Sequence, residues 1–182
     1  KYMVDKSLSK VCEGKTPSEI LNISVADIAC GSGIFLEEAF AYLQDYCVQW
    51  YINNGQTDHL IEAGIDLYKL PLQEKKDILC SCIYGIDIDI HAVEVAKFSL
   101  LIKLIEDETA PSVAEVVPIL PDLGGNIQFG NSLVSQTDLN GINGANRQMM
   151  EIAPFDWSTI NNGRGFDVII GNPPYVNTEG MH

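Results

Sequence analysis

The stretch Leu72–Asp107 constrains the fold most, because it places a short strand directly between two helices. Residues Leu72–Ile83 have the pattern of a helix, and the short apolar run Ile83–Asp87 that follows is typical of a buried strand. Apolar residues then recur every three or four positions over His91–Asp107, which predicts a second helix. Strands that alternate with helices in this way predict β-α-β units and a parallel sheet.

Three more short segments fit this alternation as strands. Ile23–Ala29 and Phe166–Ile170 are apolar and rich in β-branched residues, and Asn126–Phe129 is a shorter candidate. A long amphipathic helix is predicted from Ile34 to about Asn53, and another helix within residues 1–14. The pattern therefore predicts an α/β fold with about four parallel strands and flanking helices.

The remaining segments are less regular. Residues 56–70 follow neither the helical nor the strand period, and Pro111, Pro118 and Pro121 predict a loop before the third strand. Residues 135–163 are polar and rich in Asn, Gly and Gln, which predicts a loop with a short helix. We expect residues 135–163 to be an excursion from the sheet rather than a part of it.

Composition argues against several classes of function. The 182 residues carry 25 Asp and Glu against 11 Lys and Arg, and this net charge of −14 disfavours a nucleic-acid-binding surface on the chain itself. No apolar run reaches the ~18 residues of a membrane span, and no spacing of Cys and His predicts a metal site. The five irregularly spaced cysteines are interpreted as free thiols in a reducing cytoplasm. Because the first residue is Lys1, we interpret the sequence as part of a longer protein.

The first predicted strand runs into the sequence Asp-Ile-Ala-Cys-Gly-Ser-Gly at residues 27–33. Gly31 and Gly33 permit a tight turn and a close approach of the backbone to a ligand, and the helix that follows starts with unpaired N–H groups. Asp27 fits a cationic or hydroxylic ligand better than a phosphate. The motif also differs from the G-x-G-x-x-G dinucleotide fingerprint, which disfavours an NAD-dependent dehydrogenase. A tight turn without a ligand is an alternative for this motif alone.

The second and third strands also end in polar residues. Asp87 can accept hydrogen bonds from both hydroxyls of a ribose, whereas Asp89 is expected to cap the following helix. The alternative is that both carboxylates are caps or solvated turn residues. Asn131, in the turn after the third strand, is a candidate to hydrogen-bond an adenine edge, or is only a turn residue.

The fourth strand ends in the sequence Gly-Asn-Pro-Pro-Tyr at residues 171–175. Pro173 and Pro174 have fixed φ angles and no N–H, so this corner offers acceptors without competing donors. Together with the side-chain carbonyl of Asn172, these acceptors suit an amino group, and Tyr175 offers a face for stacking a planar ring. The carboxyl ends of parallel strands meet at one edge of a sheet, so all four motifs are expected at one place.

In this order the four motifs resemble those of S-adenosylmethionine-dependent DNA methyltransferases that methylate amino groups. The match is to the adenine-N6 branch, and Leu72–Leu104 is similar to large restriction–modification enzymes that combine a methylase with a nuclease. The resemblance implies a Rossmann-like class I methyltransferase sheet. Residues 1–182 would form only its N-terminal part, from the cofactor-binding half through the Asn-Pro-Pro-Tyr motif. The later strands and the target-recognition domain would lie outside this chain.

The resemblance also implies a role for each motif residue. Asp27 would lie by the methionine amino group of S-adenosylmethionine, Asp87 would bind its ribose hydroxyls, and Ile88 would pack on its adenine. The other implied cofactor-binding residues are Ala29, Cys30, Gly31 and Gly33 around the methionine moiety, and Asn131 and Ser132 near the adenine. The implied catalytic residues, which hold the target base, are Asn172, Pro173, Pro174 and Tyr175.

Two residues depart from the pattern of the family. Ile28 stands where the family usually has proline, and Asn131 stands where it often has aspartate. An asparagine can still accept a hydrogen bond through Oδ1, but a neutral acceptor forms a weaker one than a carboxylate does.

The implied function is methyl transfer from S-adenosylmethionine to the N6 amine of a flipped adenine in double-stranded DNA, within a bacterial restriction–modification system in the cytoplasm. No metal is implied in this region, and a more basic part of the full-length protein would hold the DNA. Two alternatives stay open: an Asn-Pro-Pro-Tyr methyltransferase acting on RNA or a release-factor glutamine, and a nucleotide-binding module without catalysis. The long gap between the first two strands and the presence of Cys30 favour the DNA branch.

Overall fold

The computed structural model describes residues 2–65, 67–114, 116–135, 138 and 152–172. Its helices are α1 (Tyr2–Cys12), α2 (Pro17–Ile20), α3 (Ile34–Asn53), α4 (Leu72–Cys82), α5 (Ile90–Ile105) and α6 (Ala110–Ala114). Its strands are β1 (Val25–Asp27), β2 (Ile61–Gly64), β3 (Leu67–Lys69), β4 (Ile83–Asp87), β5 (Ile127–Phe129) and β6 (Val168–Ile170). No helix among the described residues is both long and apolar enough to cross a membrane.

Four strands form one sheet in the order β5-β4-β1-β6, and each neighbouring pair is parallel. Asp27 at the end of β1 is in register with Gly85 of β4 on one side and with Ile170 of β6 on the other. The chain builds outward from β1 through β4 to β5, and β6 then returns to the opposite side of β1. The structure therefore confirms the predicted α/β fold with four parallel strands, and its strand order reverses between β1 and β6.

The two faces of the sheet bury different residues because side chains alternate along a strand. Val25 and Ile83 point into the larger core, which the apolar faces of α1, α3, α4 and α5 complete. Ala26 and Ile86 point to the other face, where Phe155 leads a small cluster from the segment before β6. One face is thus covered by helices, and the other by a short segment with aromatic side chains.

Two details explain why β1 is shorter than the predicted Ile23–Ala29. Before it, the Ser24 N–H donates to Asp167 Oδ2 at 2.8 Å instead of to a neighbouring strand's backbone. After it, the Ala29 N–H donates to Asp27 Oδ1 at 3.0 Å, which starts a turn. Side-chain acceptors thus replace the sheet ladder at both ends.

One irregular segment holds strands that the sequence did not indicate, and the prediction of a loop around Pro111 was wrong. Residues 56–70 contain the antiparallel pair β2–β3, and β2 shows no buried face that could produce alternation in the sequence. The proline-rich loop contains α6, because Pro111 lies in its first turn, where a missing N–H removes no helical hydrogen bond. Part of 135–163 lies outside the described residues.

Candidate functional site

The glycine-containing loop after β1 is attached to the end of β4. The Cys30 N–H donates to the Ile86 carbonyl oxygen at 3.0 Å, and the Gly31 N–H donates to Asp87 Oδ2 at 2.7 Å. Gly31 has a φ of 53°, in the left-handed region that favours glycine, and a Cβ added there would meet no atom within 4 Å. At Gly31 the loop therefore exposes its backbone, without a side chain, to the open space beside β4.

Gly33 sets the start of α3 and its packing. It has a φ of 88° and forms the N-cap of α3. A Cβ at this position would lie 3.1 Å from Cβ of Ala96 in α5, so glycine is favoured by space as well as by conformation. The loop between β1 and α3 is consequently held from two sides, by β4 and by α5.

Asp27 is a buried carboxylate with one free oxygen. Only 1% of the residue is exposed; Oδ1 accepts the Ala29 N–H, while the buried Oδ2 has no hydrogen-bond partner among the described residues. The pKa of Asp27 is raised from 3.8 to about 6, mainly by burial. The Ala29 hydrogen bond opposes this rise, and the nearby Asp87 adds to it. A buried carboxylate oxygen without a donor is costly, so the arrangement suits a ligand that brings a positive group or a donor.

Asp87 ends β4 and Asp89 follows it, and the two carboxylates have different roles. Asp87 Oδ2 accepts the Gly31 N–H, and its Oδ1 accepts the Asp89 N–H at 2.9 Å. Asp89 Oδ1 accepts the His91 N–H at 2.8 Å, so the prediction that Asp89 caps the following helix is confirmed. Ile88 lies between these carboxylates with 56% of its surface exposed, as a side chain available for packing on a ligand would be.

The turn after β5 is tied to the end of β1. The Ser132 hydroxyl donates to the Ile28 carbonyl oxygen at 2.7 Å, which the sequence did not indicate. Asn131 Oδ1 accepts the Leu133 N–H at 3.1 Å, so this oxygen stabilises the turn. Nδ2 of Asn131 makes no hydrogen bond that we observe among the described residues, and Oδ1 can accept a second one.

The end of β6 lies beside Asp27. Ile170 is the register partner of Asp27, and a Cβ added to Gly171 would lie 2.7 Å from Asp27 Oδ1. Asn172 is exposed immediately after Gly171. The other predicted target-base residues, Pro173, Pro174 and Tyr175, lie outside the described residues.

The Cys30 thiol is buried within this site. Burial, together with the smaller effect of the neighbouring carboxylates of Asp87 and Asp27, raises its pKa from 9.0 to about 12. A thiol with so high a pKa is not a thiolate near neutral pH, so it is a poor nucleophile. Among the described residues there is no group of three or more His, Cys, Asp or Glu side chains arranged to hold a metal ion.

The site as a whole fits a cationic nucleoside ligand. A parallel sheet binds ligands at the carboxyl ends of its strands where the strand order reverses, which here lies between β1 and β6. That position holds the free oxygen of Asp27, and the bare loop at Gly31 and the exposed Ile88 lie toward β4. These features suit a ligand that combines a positive group with an apolar ring. The sequence located the motifs, but it gave no sign of the contact between Gly171 and Asp27.

Comparison with known proteins agrees with this geometry. Residues 81–182 match the family model of the Eco57I restriction-modification methylases. All 182 residues align at 43% identity with RM.Eco57I, a type II restriction enzyme and methyltransferase of Escherichia coli, and cover 17% of that protein. A putative type II restriction enzyme and methyltransferase of Methanocaldococcus jannaschii is 34% identical over 137 residues, which are 72% of this chain and 11% of that protein. The chain belongs to the Eco57I restriction-modification methylase family.

Proposed function

We propose that this chain is the cofactor-binding half of a methyltransferase catalytic domain that modifies the N6 amine of adenine in double-stranded DNA. The observation that carries the proposal is the free, buried Oδ2 of Asp27 next to the strand that leads into Asn172. The chain spans 17% and 11% of its two relatives, both combined restriction enzymes and methyltransferases. We therefore propose that target recognition resides in other parts of the full-length protein, which acts on DNA in the bacterial cytoplasm.

The residues around the glycine loop would hold S-adenosylmethionine. Asp27 Oδ2 would accept from the ammonium group of the methionine moiety, and Gly31 would let the backbone approach it. Asp87 would accept from the ribose hydroxyls, because each carboxylate oxygen has room for a second hydrogen bond. Ile88 and Asn131 would contact the adenine of the cofactor. When bound, the cofactor supplies a methyl group on a positively charged sulfur.

The Asn-Pro-Pro-Tyr corner would position the amine that receives the methyl group. An aromatic amine is a poor nucleophile because its lone pair is delocalised into the ring. Acceptors from Asn172 Oδ1 and the Pro173 carbonyl would localise this pair and stabilise the positive charge that develops on nitrogen. The adenine must leave the duplex to reach the corner, and stacking on Tyr175 would offset part of the few kcal/mol that extrusion costs.

Direct transfer to the amine agrees with the cysteine chemistry of the site. A covalent enzyme intermediate would need an activated nucleophile, and Cys30 is a buried thiol whose pKa is raised to about 12. The residues of the chain would therefore act by binding the amine and orienting it toward the methyl group that the cofactor supplies, without a covalent enzyme intermediate.

The substrate is tested by offering labelled methyl donor to the natural full-length protein with duplex DNA, RNA or a release factor in separate reactions. We expect label only in DNA, on the N6 of adenine. Label in RNA or in a glutamine would instead support the other Asn-Pro-Pro-Tyr methyltransferases. No label in any of the three would support a nucleotide-binding module without catalysis.

The role of the corner is tested with Asn172→Ala in the same protein. We expect methyl transfer to fall by at least about a hundredfold, because a donor–acceptor contact to the reacting amine is lost. Asn22→Ala is a matched control, since Asn22 is an exposed asparagine before β1, at the other edge of the sheet. Equal activity of Asn172→Ala and the unaltered protein would remove Asn172 from the catalytic residues.

A further inference from the structure

The backbone of Gly171 lies so close to the carboxylate of Asp27 that no side chain would fit at position 171. A Cβ built on Gly171 would be 2.7 Å from Asp27 Oδ1, 3.3 Å from its Cγ and 3.7 Å from its Oδ2. A distance under 3.0 Å is essentially never found for a real Cβ, so this carboxylate occupies the space that a side chain at position 171 would need. The two residues are brought together because β6 pairs with β1 in parallel.

The backbone conformation does not explain the glycine at this position. Gly31 and Gly33 have φ angles of 53° and 88°, which disfavour other residues, but Gly171 does not fall in the left-handed region. An alanine could therefore adopt the same backbone at position 171. What glycine provides there is the missing Cβ.

We propose that Gly171 is a positioning residue: its lack of a side chain lets Asp27 keep the orientation that leaves Oδ2 free for the positive group of the cofactor. In this orientation Oδ1 is occupied by the Ala29 N–H, so any rotation of the carboxylate breaks that bond or moves Oδ2. The inference rests on the proposed function, in which Asp27 binds S-adenosylmethionine. Gly171 thereby joins the cofactor site to the corner that holds the target base, because Asn172 is its neighbour in the chain.

The test is a double-mutant cycle on the affinity for S-adenosylmethionine, measured by calorimetry on the natural full-length protein. Gly171→Ala should weaken binding by about fivefold or more, and Asp27→Ala by about tenfold to a hundredfold, the range for a lost charged hydrogen bond. In the Asp27→Ala background no carboxylate is present to be displaced. There, adding Gly171→Ala should change affinity less than about twofold, since the two effects share one contact.

Gly165→Ala is the matched control. Gly165 precedes β6, is not in the left-handed region, and an added Cβ would meet nothing within 4 Å. Its affinity for the cofactor should equal that of the unaltered protein. If Gly171→Ala weakens binding equally with and without the Asp27 side chain, Gly171 acts by another route and the positioning role is wrong.

The remaining outcomes are also decisive. If Gly171→Ala does not fold, the Gly171→Ala/Asp27→Ala double variant should fold, because the clash is removed; a double variant that stays unfolded contradicts the inference. If the unaltered protein does not bind the cofactor, the proposed function fails and the role of Gly171 with it. If the unaltered protein binds the cofactor but the effects of the two substitutions are additive, the positioning role of Gly171 is rejected while the proposed function stands.

Discussion

At the scale of single residues, Asp27 lies in an environment that disfavours its ionised form. It is buried at the end of β1, its Oδ2 has no partner among the described residues, and its pKa is raised to about 6. A carboxylate kept in this way destabilises the folded protein at neutral pH until a cation binds. A loss of folding stability of this kind is expected at a ligand site, where the residue is selected for binding rather than for stability.

Asp27→Asn should therefore stabilise the cofactor-free protein at neutral pH. Because the folded-state pKa of about 6 exceeds the ordinary value of 3.8, the native state binds the extra proton and loses stability as pH rises through this range. The variant lacks this loss, so its free energy of unfolding should be higher by roughly 3 kcal/mol at pH 7.5. Chemical denaturation at pH 7.5 and pH 4 checks this, and the advantage should vanish at pH 4. An equal difference at both pH values would contradict the assignment.

Asp87 requires a test that separates its two functions, because it also accepts the Gly31 N–H. We expect the unaltered protein to bind a 2′-deoxy analogue of S-adenosylmethionine about tenfold more weakly than the parent cofactor, as befits one lost charged hydrogen bond. In Asp87→Ala both ligands should bind weakly and equally. Calorimetry with the two ligands measures this. If Asp87→Ala still binds S-adenosylmethionine more tightly than the 2′-deoxy analogue by the same factor, a group other than Asp87 binds the 2′-hydroxyl.

At the scale of elements, a buried carboxylate helps to join the β2–β3 hairpin to the rest of the domain. Glu108, between α5 and α6, contacts Lys75 of α4 at 2.7 Å and Lys69 of β3 at 3.2 Å, measured from Oε1 to each Nζ. Ser112 donates to its other oxygen at 2.6 Å. Burial by itself raises the pKa of Glu108, but the hydrogen bonds from Lys75, Ser112 and Lys69 outweigh it and the pKa is lowered. The Glu108 side chain thus connects three elements, α4, β3 and α6.

Glu108→Gln should destabilise the fold by about 3 kcal/mol, because two partly or fully buried lysines lose their counter-charge. The loss should shrink as pH falls through the lowered pKa of Glu108, where the unaltered protein loses the same charge. Thermal unfolding at several pH values measures both effects. Glu94→Gln is the control, since the pair of Glu94 with Lys97 is more exposed and contributes little. If both variants lowered Tm by similar amounts, the buried Glu108 network would contribute no more to stability than an exposed ion pair.

At the scale of the whole molecule, the candidate site lies on an acidic chain. The described residues that directly follow the four parallel strands, 28–33, 88–89, 130–135 and 171–172, include no Lys or Arg. The net charge of the chain is −14. Phosphate binding requires basic groups that release counterions, and these residues provide none. This distribution is consistent with the proposed cationic cofactor and with the proposal that other parts of the full-length protein hold the DNA.

Residues 1–182 alone should therefore bind duplex DNA weakly, with no complex at micromolar protein in about 100 mM salt, a condition at which electrostatic binding is already reduced. A gel-shift titration checks this against the full-length protein, which should bind in the same buffer. Tight binding by residues 1–182 would contradict the proposed division between a cofactor-binding half and a DNA-holding part.

The elements that face the core could be predicted from the sequence, and those at the surface could not. The helix–strand–helix unit around Ile83–Asp87 was predicted with nearly its observed bounds, because burial imposes a clear period on both kinds of element. The hairpin β2–β3 was missed because its first strand buries no face, and α6 because proline was taken only as a breaker. In the site, the motif positions and the cap at Asp89 followed from residue chemistry alone.

The sequence by itself determined the alternation of strands and helices and the polar groups at each strand end, since both depend on local period and residue type. Only the tertiary structure decided which of these groups meet. The free oxygen of Asp27, the bond from Ser132 to Ile28 and the space that Gly171 leaves all depend on strands distant in the chain becoming neighbours in the sheet. Such contacts follow from strand order and register, which no single segment encodes.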